Sequence, residues 1–330
     1  MTMVSVIIPC RNEAAHVTAC VESILNQDYP HISLEVLFVD GMSTDGTRQR
    51  LAEYCAQYDF LHVIDNPKLI VPTALNIGIS QAAGDVIIRL DMHTVYAPNY
   101  ISVLVENLFK LNADNVGCVC KTEVKLRTPK SVAIKAVLSS RFGVGNSAFR
   151  VGVNEVQPVD TVPFGCYRRN VFVRYGLFDE RLVRNQDIEF NSRIVRGGGR
   201  MFLLPEELCT YYARATFRAL AKNNYSNGLW NVKTVKLTHT FSTFSIRHFV
   251  PMIFVLSLVL PLLFSIFYGQ AAIVAALSVL AYLLFVTIAS VKLLKTGDKL
   301  KLRYLYAAFF VLHFSYGMGS IVGIFSIPKK

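Results

Sequence analysis

Three uncharged, apolar runs of about twenty residues each stand near the end of the chain, at 249–268, 271–291 and 304–325. A helix needs about twenty apolar residues to cross the hydrocarbon layer of a bilayer, so each run is long enough to span it. The apolar fraction of 52% and the mean hydropathy of +0.38 are high for a water-soluble protein. The sequence therefore predicts a membrane domain with about three transmembrane helices over residues 249–330.

The net charge of +11 is unevenly distributed along the chain. From Leu208 onwards there are thirteen Lys and Arg residues and one acid, Asp298, whereas residues 1–207 carry 21 basic and 22 acidic groups. Basic residues beside apolar runs fit an anionic membrane surface better than nucleic acid, so we expect a membrane partner and no nucleic acid. A positive-inside topology signal without lipid specificity explains the pattern equally well.

The segment 214–248 contains six Lys and Arg residues and no acid, with aromatic and aliphatic side chains between them. This pattern predicts amphipathic helices on the membrane surface. The loop 292–303 holds five basic residues and one acid, so the positive-inside rule puts it in the cytoplasm. We therefore expect a multi-pass protein of the inner (plasma) membrane whose N-terminal domain is cytoplasmic. A third crossing would leave Lys329 and Lys330 outside, which argues against it.

Apolar, β-branched runs alternate with helical patterns in the first ninety residues. Strands are predicted at 4–9, 34–39, 61–64 and 85–88, and helices up to Leu25, at 47–57 and at 72–83. Such alternation indicates an α/β fold with a mostly parallel sheet, here over residues 1–213. Ligands of these sheets bind at the carboxyl ends of the strands, which carry the segment 9–13, Asp40 and Asp91.

Asp91 and His93 stand two residues apart directly after the strand predicted at 85–88. At the end of an extended segment, the two side chains can turn towards one ion. A carboxylate with an imidazole suits Mn²⁺, and the carboxylate alone suits Mg²⁺. The pair is therefore a candidate metal site at which a divalent ion would neutralise a diphosphate.

Four motifs in the N-terminal half belong together. They are Val6-Ile7-Ile8-Pro9-Cys10-Arg11-Asn12-Glu13, Val39-Asp40-Gly41-Met42-Ser43-Thr44-Asp45-Gly46-Thr47, Asn76-x-Gly78 with Ala83-Gly84-Asp85, and Asp91-x-His93. Together they resemble glycosyltransferase family 2, whose members have the Rossmann-like GT-A fold. The resemblance implies that the first motif, with Pro9, Arg11 and Glu13, lines the ribose of a nucleotide sugar. Asp40 would accept a hydrogen bond from the base, and Asp91 would hold the diphosphate through the metal.

Two positions depart from the family pattern. The common V-D-D-G-S is Val39-Asp40-Gly41-Met42-Ser43 here, so a second acid is missing, and His93 replaces the second metal acid. Polypeptide N-acetylgalactosaminyltransferases also use Asp-x-His, so the resemblance still implies a metal site at Asp91 and His93. Turn and N-cap chemistry is the alternative role for Asp40 and Ser43, and it is the expected role of Asp45.

The segment 185–193 predicts a helix in which Glu189 and Arg193 pair across one turn. Asp187 lies near its start, where backbone N–H groups favour a carboxylate. The family carries Glu-Asp at this point and uses the Asp as catalytic base, and this chain keeps that residue after Gln186. The resemblance therefore implies that Asp187 is the base, with helix capping as the alternative.

Other segments refine the prediction. Residues 142–150 contain two glycines and predict a flexible loop near a substrate. The segments 160–169 and 176–180 resemble the exopolysaccharide branch of the family, the succinoglycan-type glucosyltransferases. The Q-x-x-R-W motif of processive synthases is absent, so we expect transfer of a single residue. Seven scattered cysteines without a CxxC pair predict buried, reduced thiols.

The resemblance implies an inverting glycosyltransferase that uses Mn²⁺ or Mg²⁺ and a UDP-sugar donor. It would move a sugar, with glucose as first candidate, to a lipid-linked saccharide acceptor in exopolysaccharide synthesis at the cytoplasmic face of the membrane. Two alternatives remain open: a polyprenyl-phosphate sugar synthase, and a non-catalytic scaffold of a polysaccharide export complex with a degenerate transferase domain.

Overall fold

The computed structural model describes residues 2–243, 245–296 and 299–326. The chain divides into two compact units. The N-terminal unit consists of Met1–Lys121 and Gly152–Tyr211, and the C-terminal unit consists of Thr122–Val151 and Tyr212–Lys330. The predicted division has one boundary after residue 213 and another after residue 248, whereas packing assigns residues 122–151 to the same unit as the C-terminal helices.

Strands and helices follow one another along the chain. The first are β1 (Val4–Cys10), α1 (Val17–Leu25), β2 (Leu34–Asp40), α2 (Thr47–Cys55), β3 (Leu61–Asp65), α3 (Val71–Gln81), β4 (Val86–Arg89), β5 (Val95–Tyr96), α4 (Tyr100–Lys110) and β6 (Asn115–Glu123). They are followed by α5 (Pro129–Leu138), α6 (Arg141–Val144), α7 (Ala148–Val151), β7 (Gln157–Pro158), β8 (Cys166–Arg168), α8 (Asn170–Tyr175), α9 (Gln186–Arg196), β9 (Met201–Tyr212), α10 (Phe217–Thr238), α11 (Ile246–Phe264), α12 (Ala271–Leu294) and α13 (Leu302–Phe325). The prediction of a flexible loop at 142–150 is wrong, because most of this segment lies in α6 and α7.

Strands β3, β2, β1 and β4 form the parallel half of the sheet, in this order. The register aligns Cys10 with Asp40 and Asp40 with Asp65, so the carboxyl ends of three strands lie side by side. β1 and β2 are buried along nearly their whole length, as expected for strands covered on both faces. Their continuous apolar sequence reflects this double burial.

The other half of the sheet is antiparallel. Its order continues from β4 through β8, β6 and β9 to β5, and β7 pairs with β9. The sheet is therefore mixed, and the predicted mostly parallel arrangement holds for its first half. The strand order reverses between β1 and β4, and α/β sheets bind ligands beside such a point, at the carboxyl ends of the strands.

An aromatic cluster anchors α9 in the N-terminal unit. The Phe190 ring is fully buried, stacks on Phe172 with 5.2 Å between centroids and lies 4.7 Å from Phe178. The side-chain amide of Asn76 in α3 donates to the Phe178 carbonyl and accepts from the Phe178 N–H, both at 2.9 Å. The Asn-x-Gly motif thus fixes the segment that leads to α9, while a Cβ on Gly78 would meet Ile7 at 2.5 Å.

The cysteines are free thiols and are buried, apart from the half-buried Cys55. Cys118 and Cys120 lie on one face of β6, with sulfur atoms 3.9 Å and 2.9 Å from that of Cys209 in β9. Burial raises the pKa of the Cys166 thiol, which makes it a poor nucleophile. The predicted buried thiols are confirmed.

The C-terminal unit is helical over most of its described length. Its apolar core joins residues from four helices, such as Ile134 of α5, Leu220 of α10, Val286 of α12 and Phe309 of α13. Among the residues that the structure describes, three helices are long and apolar enough to cross a membrane: Arg247–Phe264 within α11, Ala271–Leu294 and Leu302–Phe325. The three predicted apolar helices are therefore present.

Glycines allow α10 and α13 to approach closely. A Cβ on Gly319 would lie 2.0 Å from the carbonyl oxygen of Tyr225, an overlap that only a shift of the helices could relieve. We expect Gly319→Ala to lower the free energy of unfolding by about 1–3 kcal/mol, the usual cost of overpacking. Gly269→Ala is the matched control, because a Cβ there meets nothing within 4 Å. Thermal unfolding in detergent measures both, and equal midpoints would contradict this packing.

Candidate active site

A cleft of about 430 Å³ opens at the carboxyl edge of the parallel strands in the N-terminal unit. Its lining comes from the residues that follow β1, β2, β3 and β4 and from those that begin α9. Six of the predicted site residues line it: Pro9, Arg11, Glu13, Asp91, His93 and Asp187. The structure thus brings together residues that lie far apart in the sequence.

Hydrogen bonds join the loop after β1 to the loop after β2. The Asn12 N–H donates to Ser43 Oγ at 2.9 Å, and the Thr44 N–H donates to Asn12 Oδ1 at 2.9 Å. The Glu13 N–H donates to Thr47 Oγ1 at 2.8 Å. The first two motifs therefore form one rigid wall of the cleft.

Asp45 has the predicted turn role. Its carboxylate accepts from the N–H groups of Thr47 and Ala14, both at 3.0 Å. Hydrogen bonds from Thr47 and from the Ala14 N–H hold the pKa of Asp45 below its ordinary value. Asp45 does not line the cleft among the residues described, and it links the two loops instead.

Asp40 is fully buried at the end of β2. Its carboxylate accepts from the N–H of Ser43 at 3.1 Å and from the Ser43 hydroxyl, and Arg48 Nη1 lies 3.6 Å away. The cleft wall at this point is formed by Gly41. A contact between Asp40 and a nucleotide base therefore stays a prediction, because the side chain is fully buried and outside the described lining of the cleft.

Gly41 makes room for Arg11. A Cβ at this position would lie 3.1 Å from Cδ and 3.2 Å from Cβ of Arg11, tighter than ordinary contact. The aliphatic stem of Arg11 therefore lies across the Gly41 backbone. A larger residue at this position, where the chain departs from the family pattern, would have to displace the Arg11 side chain by a few tenths of an ångström.

Arg89 bridges the predicted metal ligand and the predicted base. Its Nη2 lies 3.0 Å from Asp91 Oδ1, and its Nη1 lies 3.3 Å from Asp187 Oδ2. Burial opposes the charge of Arg89, but the carboxylates of Asp91 and Asp187 outweigh it and raise its pKa above the ordinary value. Sequence reasoning missed Arg89, although a charge at the end of an apolar central strand was an available signal.

Asp187 and Glu189 have different surroundings in α9. Asp187 is 31% exposed towards the cleft, and its Oδ1 accepts from the Ile188 N–H at 2.9 Å. Glu189 is buried and pairs with Arg193 through two contacts of 2.7 Å and 2.9 Å. The predicted Glu189–Arg193 pair is confirmed, and it leaves Asp187 as the carboxylate of this helix that faces the cleft.

His93 and Glu13 face each other across the cleft lining. His93 Nδ1 lies 3.6 Å from Glu13 Oε1, and Asp91 lines the same cleft. Over the residues with assigned structure, no group of three or more His, Cys, Asp or Glu side chains is arranged to hold a metal ion. Mg²⁺ and Mn²⁺ are often held by one or two side chains, with phosphate and water completing the coordination. Asp91 and His93 both line the cleft, which is compatible with that kind of site, and a metal ion bound there stays a prediction.

The loop after β3 also lines the cleft and was missed from the sequence. Asn66, Leu69 and Val71 belong to this lining, and the Asn66 N–H donates to the Asp40 carbonyl at 2.9 Å. Leu69 has a φ of 65°, which a non-glycine residue rarely adopts. The Asn66-Pro67 turn at the end of a parallel strand was the signal that could have indicated this loop.

Known proteins are similar to this chain in sequence and in fold. The glycosyl transferase family 2 profile matches residues 5–176. The chain is 30% identical over 212 residues to the succinoglycan biosynthesis protein ExoA of Rhizobium meliloti (strain 1021). The aligned region covers 64% of this chain and 63% of that protein. The chain is also 29% identical over 236 residues to the dolichyl N-acetyl-alpha-D-glucosaminyl phosphate 3-beta-D-2,3-diacetamido-2,3-dideoxy-beta-D-glucuronosyltransferase of Methanococcus voltae, over 69% of this chain and 72% of that protein.

Two solved structures have the same fold. The mannosyltransferase PcManGT from Pyrobaculum calidifontis, in complex with GDP-Man and Mn²⁺, has a TM-score of 0.59 at 17% identity and covers 97% of this chain and 86% of its own. S. aureus TarS 1–349 in complex with UDP-GlcNAc has a TM-score of 0.52 at 16% identity, over 97% and 90%. These likenesses establish a GT-A-like fold, and the family match covers more than half of the sequence. The chain is therefore a glycosyltransferase and belongs to glycosyl transferase family 2.

Proposed function

We propose that this glycosyltransferase is an inverting enzyme that moves one sugar, glucose as first candidate, from a nucleotide diphosphate donor to a lipid-linked saccharide at the cytoplasmic face of a membrane. The observation that carries the proposal is the cleft in which Asp91 and Asp187 lie on either side of Arg89. One carboxylate would bind the divalent cation that neutralises the donor's diphosphate, and the other would accept the proton of the acceptor hydroxyl.

The first motif and the loop after β3 would bind the nucleotide. Pro9, Arg11 and Glu13 line one wall of the cleft, and Leu69 and Val71 line another. An apolar wall suits the base, while polar groups suit the ribose. Arg11 would add a positive charge to the side of the cleft that receives the nucleotide. Solved relatives hold GDP-Man or UDP-GlcNAc, which supports a nucleotide-sugar donor, and UDP-glucose is our choice among such donors.

Asp91 and His93 would hold a divalent cation. When bound, Mn²⁺ or Mg²⁺ supplies positive charge that stabilises the departing nucleotide diphosphate. The backbone N–H of Asp91 donates to the Tyr96 hydroxyl at 2.8 Å, which fixes the position from which its side chain would hold the cation. The Mn²⁺ in the Pyrobaculum mannosyltransferase structure supports this assignment.

Asp187 would act as the general base. In an inverting transfer, the acceptor hydroxyl attacks the anomeric carbon from the side opposite the leaving diphosphate, and a carboxylate takes the hydroxyl proton. Asp187 is partly exposed in the cleft and fixed by Arg89 and the Ile188 N–H. Glu189 is unsuited to this role, because its pairing with Arg193 buries it.

The names of the relatives and the apolar C-terminal helices both support a lipid-linked acceptor. The name of the rhizobial relative refers to succinoglycan biosynthesis, and that of the archaeal relative refers to a dolichyl-linked sugar phosphate. Apolar helices and a basic tail would keep this enzyme at the membrane surface, where a lipid-linked saccharide is presented. Membership of an enzyme family disfavours the scaffold alternative.

A donor and acceptor screen tests the proposal. Purified protein is incubated with Mn²⁺ or Mg²⁺, several nucleotide sugars, and a polyprenyl-diphosphate saccharide, polyprenyl phosphate alone, or no acceptor. We expect nucleotide diphosphate release to be greatest with a UDP-sugar and the lipid-linked saccharide. Preference for polyprenyl phosphate alone would assign the enzyme to the polyprenyl-phosphate sugar synthases. Retention of the anomeric configuration in the product, read by NMR, would contradict the inverting mechanism.

Loss of Arg89 should lower the rate of sugar transfer more than it lowers the stability of the fold. Arg89→Ala removes the group that holds Asp187 in place, and a displacement of about 1 Å in a reacting group can cost about 10²-fold. We expect kcat to fall by about that factor. Arg89→Lys should recover part of it, because one ammonium cannot replace the two-pronged guanidinium contact.

The control for Arg89 is Arg174→Ala, which breaks an Arg–Asp contact of 2.7 Å to Asp114 without lining the cleft. Initial rates and donor KM are measured for each variant, together with the thermal unfolding midpoint. A kcat for Arg89→Ala within twofold of the unmodified enzyme would contradict a bridging role.

A further inference from the structure

The three apolar helices of the C-terminal unit differ in how far protein covers them. Of the most apolar stretch of each, 17% is buried in α11, 11% in α12 and 44% in α13. Leu305 and Phe309 of α13 are fully buried and share an apolar cluster with residues of α5 and α10. Many α13 residues therefore pack against protein, whereas a membrane-spanning helix would expose such residues to lipid.

α13 runs alongside α10 in the same direction. The residue numbers of the contacting pairs increase together along both helices: Tyr225 contacts Gly319, Leu229 contacts Gly323, and Lys236 contacts Ser326. At the first point, a glycine Cβ would lie 2.0 Å from a backbone oxygen, and at the last, the lysine ammonium donates to a carbonyl at 2.9 Å. The two helices are therefore parallel and tightly packed.

This parallel packing limits the possible membrane topologies. If both α10 and α13 crossed the bilayer, with α11 and α12 crossing between them, α10 would leave the cytoplasm and α13 would return to it. The two helices would then be antiparallel, which contradicts the order of their contacts. At most one of the two helices therefore crosses the bilayer.

The composition of α10 argues against a crossing by α13 alone. Because α13 packs along α10, a crossing α13 would carry much of α10 into the hydrocarbon layer. α10 has a length of about 33 Å, comparable to that layer. Along it lie Arg218, Lys222, Lys233 and Lys236, with Asn223, Asn224, Asn227 and Asn231 between them. Such residues are costly in hydrocarbon, so neither helix is suited to crossing.

α11 and α12 have the features of a spanning hairpin. Large apolar side chains are exposed along both helices, and three aromatic residues, Phe264, Phe267 and Tyr268, are exposed at their connection. Arg247 stands at the start of the hairpin, and Lys292 and Lys295 stand at its end. Basic residues at both ends and aromatic residues at the turn fit a two-span hairpin whose ends are cytoplasmic.

We propose that only α11 and α12 cross the membrane, and that α10 and α13 lie together as a pair in its cytoplasmic interface. The exposed apolar residues of α13, among them Phe310, Val322 and Phe325, would enter the headgroup region, while its buried residues stay packed against α5 and α10. The lipid partner of this surface is the cytoplasmic leaflet. The proposal rests on the membrane location proposed above and is independent of the sugar-transfer reaction. It replaces the third predicted crossing.

Cysteine labelling tests this topology in the full chain, because no native cysteine follows Cys209. Spheroplasts that express Gly269→Cys, Thr296→Cys or Ser326→Cys are treated with a membrane-impermeant maleimide before and after permeabilisation. We expect Gly269→Cys to react in intact spheroplasts. We expect Thr296→Cys and Ser326→Cys to react only after permeabilisation. Phe325→Cys, at an exposed neighbouring position, repeats the test if the Ser326 variant does not accumulate.

Reaction of Ser326→Cys or Phe325→Cys in intact spheroplasts would overturn the proposal, because it requires a third crossing. Failure of Gly269→Cys to react until permeabilisation would overturn the hairpin. Release of the unmodified chain from membranes by alkaline carbonate would overturn the membrane location itself. None of these results depends on transfer activity, so a failed topology and a failed enzymatic assignment are distinguishable.

Discussion

Asp187→Asn should slow sugar transfer by roughly 10²–10⁴-fold, because an amide cannot take the proton of the acceptor hydroxyl. Asparagine keeps the size of the side chain, and its carbonyl oxygen can still accept from the Ile188 N–H, so the start of α9 should be preserved. Donor affinity should barely change, since Asp187 is not assigned to the nucleotide. Calorimetry with the donor, beside initial transfer rates, separates the two effects.

Glu189→Gln provides the matched control on the same helix. Glu189 is buried against Arg193, so its amide variant should be less stable but should transfer sugar at a rate close to that of the unmodified enzyme. Near wild-type transfer by Asp187→Asn would reduce Asp187 to a helix-capping residue. A large loss in Glu189→Gln at full donor affinity would move the base to Glu189.

Asp91→Ala should abolish the metal dependence of donor binding and lower the transfer rate by about 10²–10³-fold, the usual cost of removing one electrostatic contact in an active site. Arg89 would then contact only Asp187, so both the donor and the base would be affected. Donor affinity is measured by calorimetry with Mn²⁺ and with EDTA, and Mn²⁺ binding is measured directly by electron paramagnetic resonance.

His93→Asp is the companion to Asp91→Ala. It restores the commoner carboxylate ligand, so it should retain some activity and remain metal-dependent. The new carboxylate would lie near Glu13, so more metal should be needed to offset the added negative charge. Unchanged turnover of the unmodified enzyme in EDTA would rule out the metal role of both residues.

Local patterns were sufficient for the elements of the parallel sheet. β1 and β2 are nearly continuous runs of apolar residues because both of their faces are covered, and this double burial is visible in the sequence itself. The polar residues that end these strands indicated the edge at which the cleft opens. The Glu189–Arg193 pair was equally predictable, because residues four apart on a helix are neighbours.

The bridge made by Arg89 could not be derived in this way. Asp91 lies two residues from Arg89, but Asp187 lies 98 residues away and reaches it only through the packing of α9. The buried state of Asp40 is similar, because the Ser43 hydrogen bonds and the register of β2 beside β1 decide whether its carboxylate faces the cleft. Neither arrangement follows from spacing along the chain.

The sequence by itself determined the strand–helix alternation, the residues at the carboxyl edge, and three apolar runs long enough to span a bilayer. These are properties of short segments, set by side-chain periodicity and by transfer of apolar groups from water. Only the tertiary structure decided that residues 122–151 pack with the C-terminal helices, that Arg89 joins Asp91 to Asp187, and that α13 lies parallel to α10. These features depend on contacts between distant segments, whose free energy comes from packing and charge pairing in the folded chain rather than from local pattern.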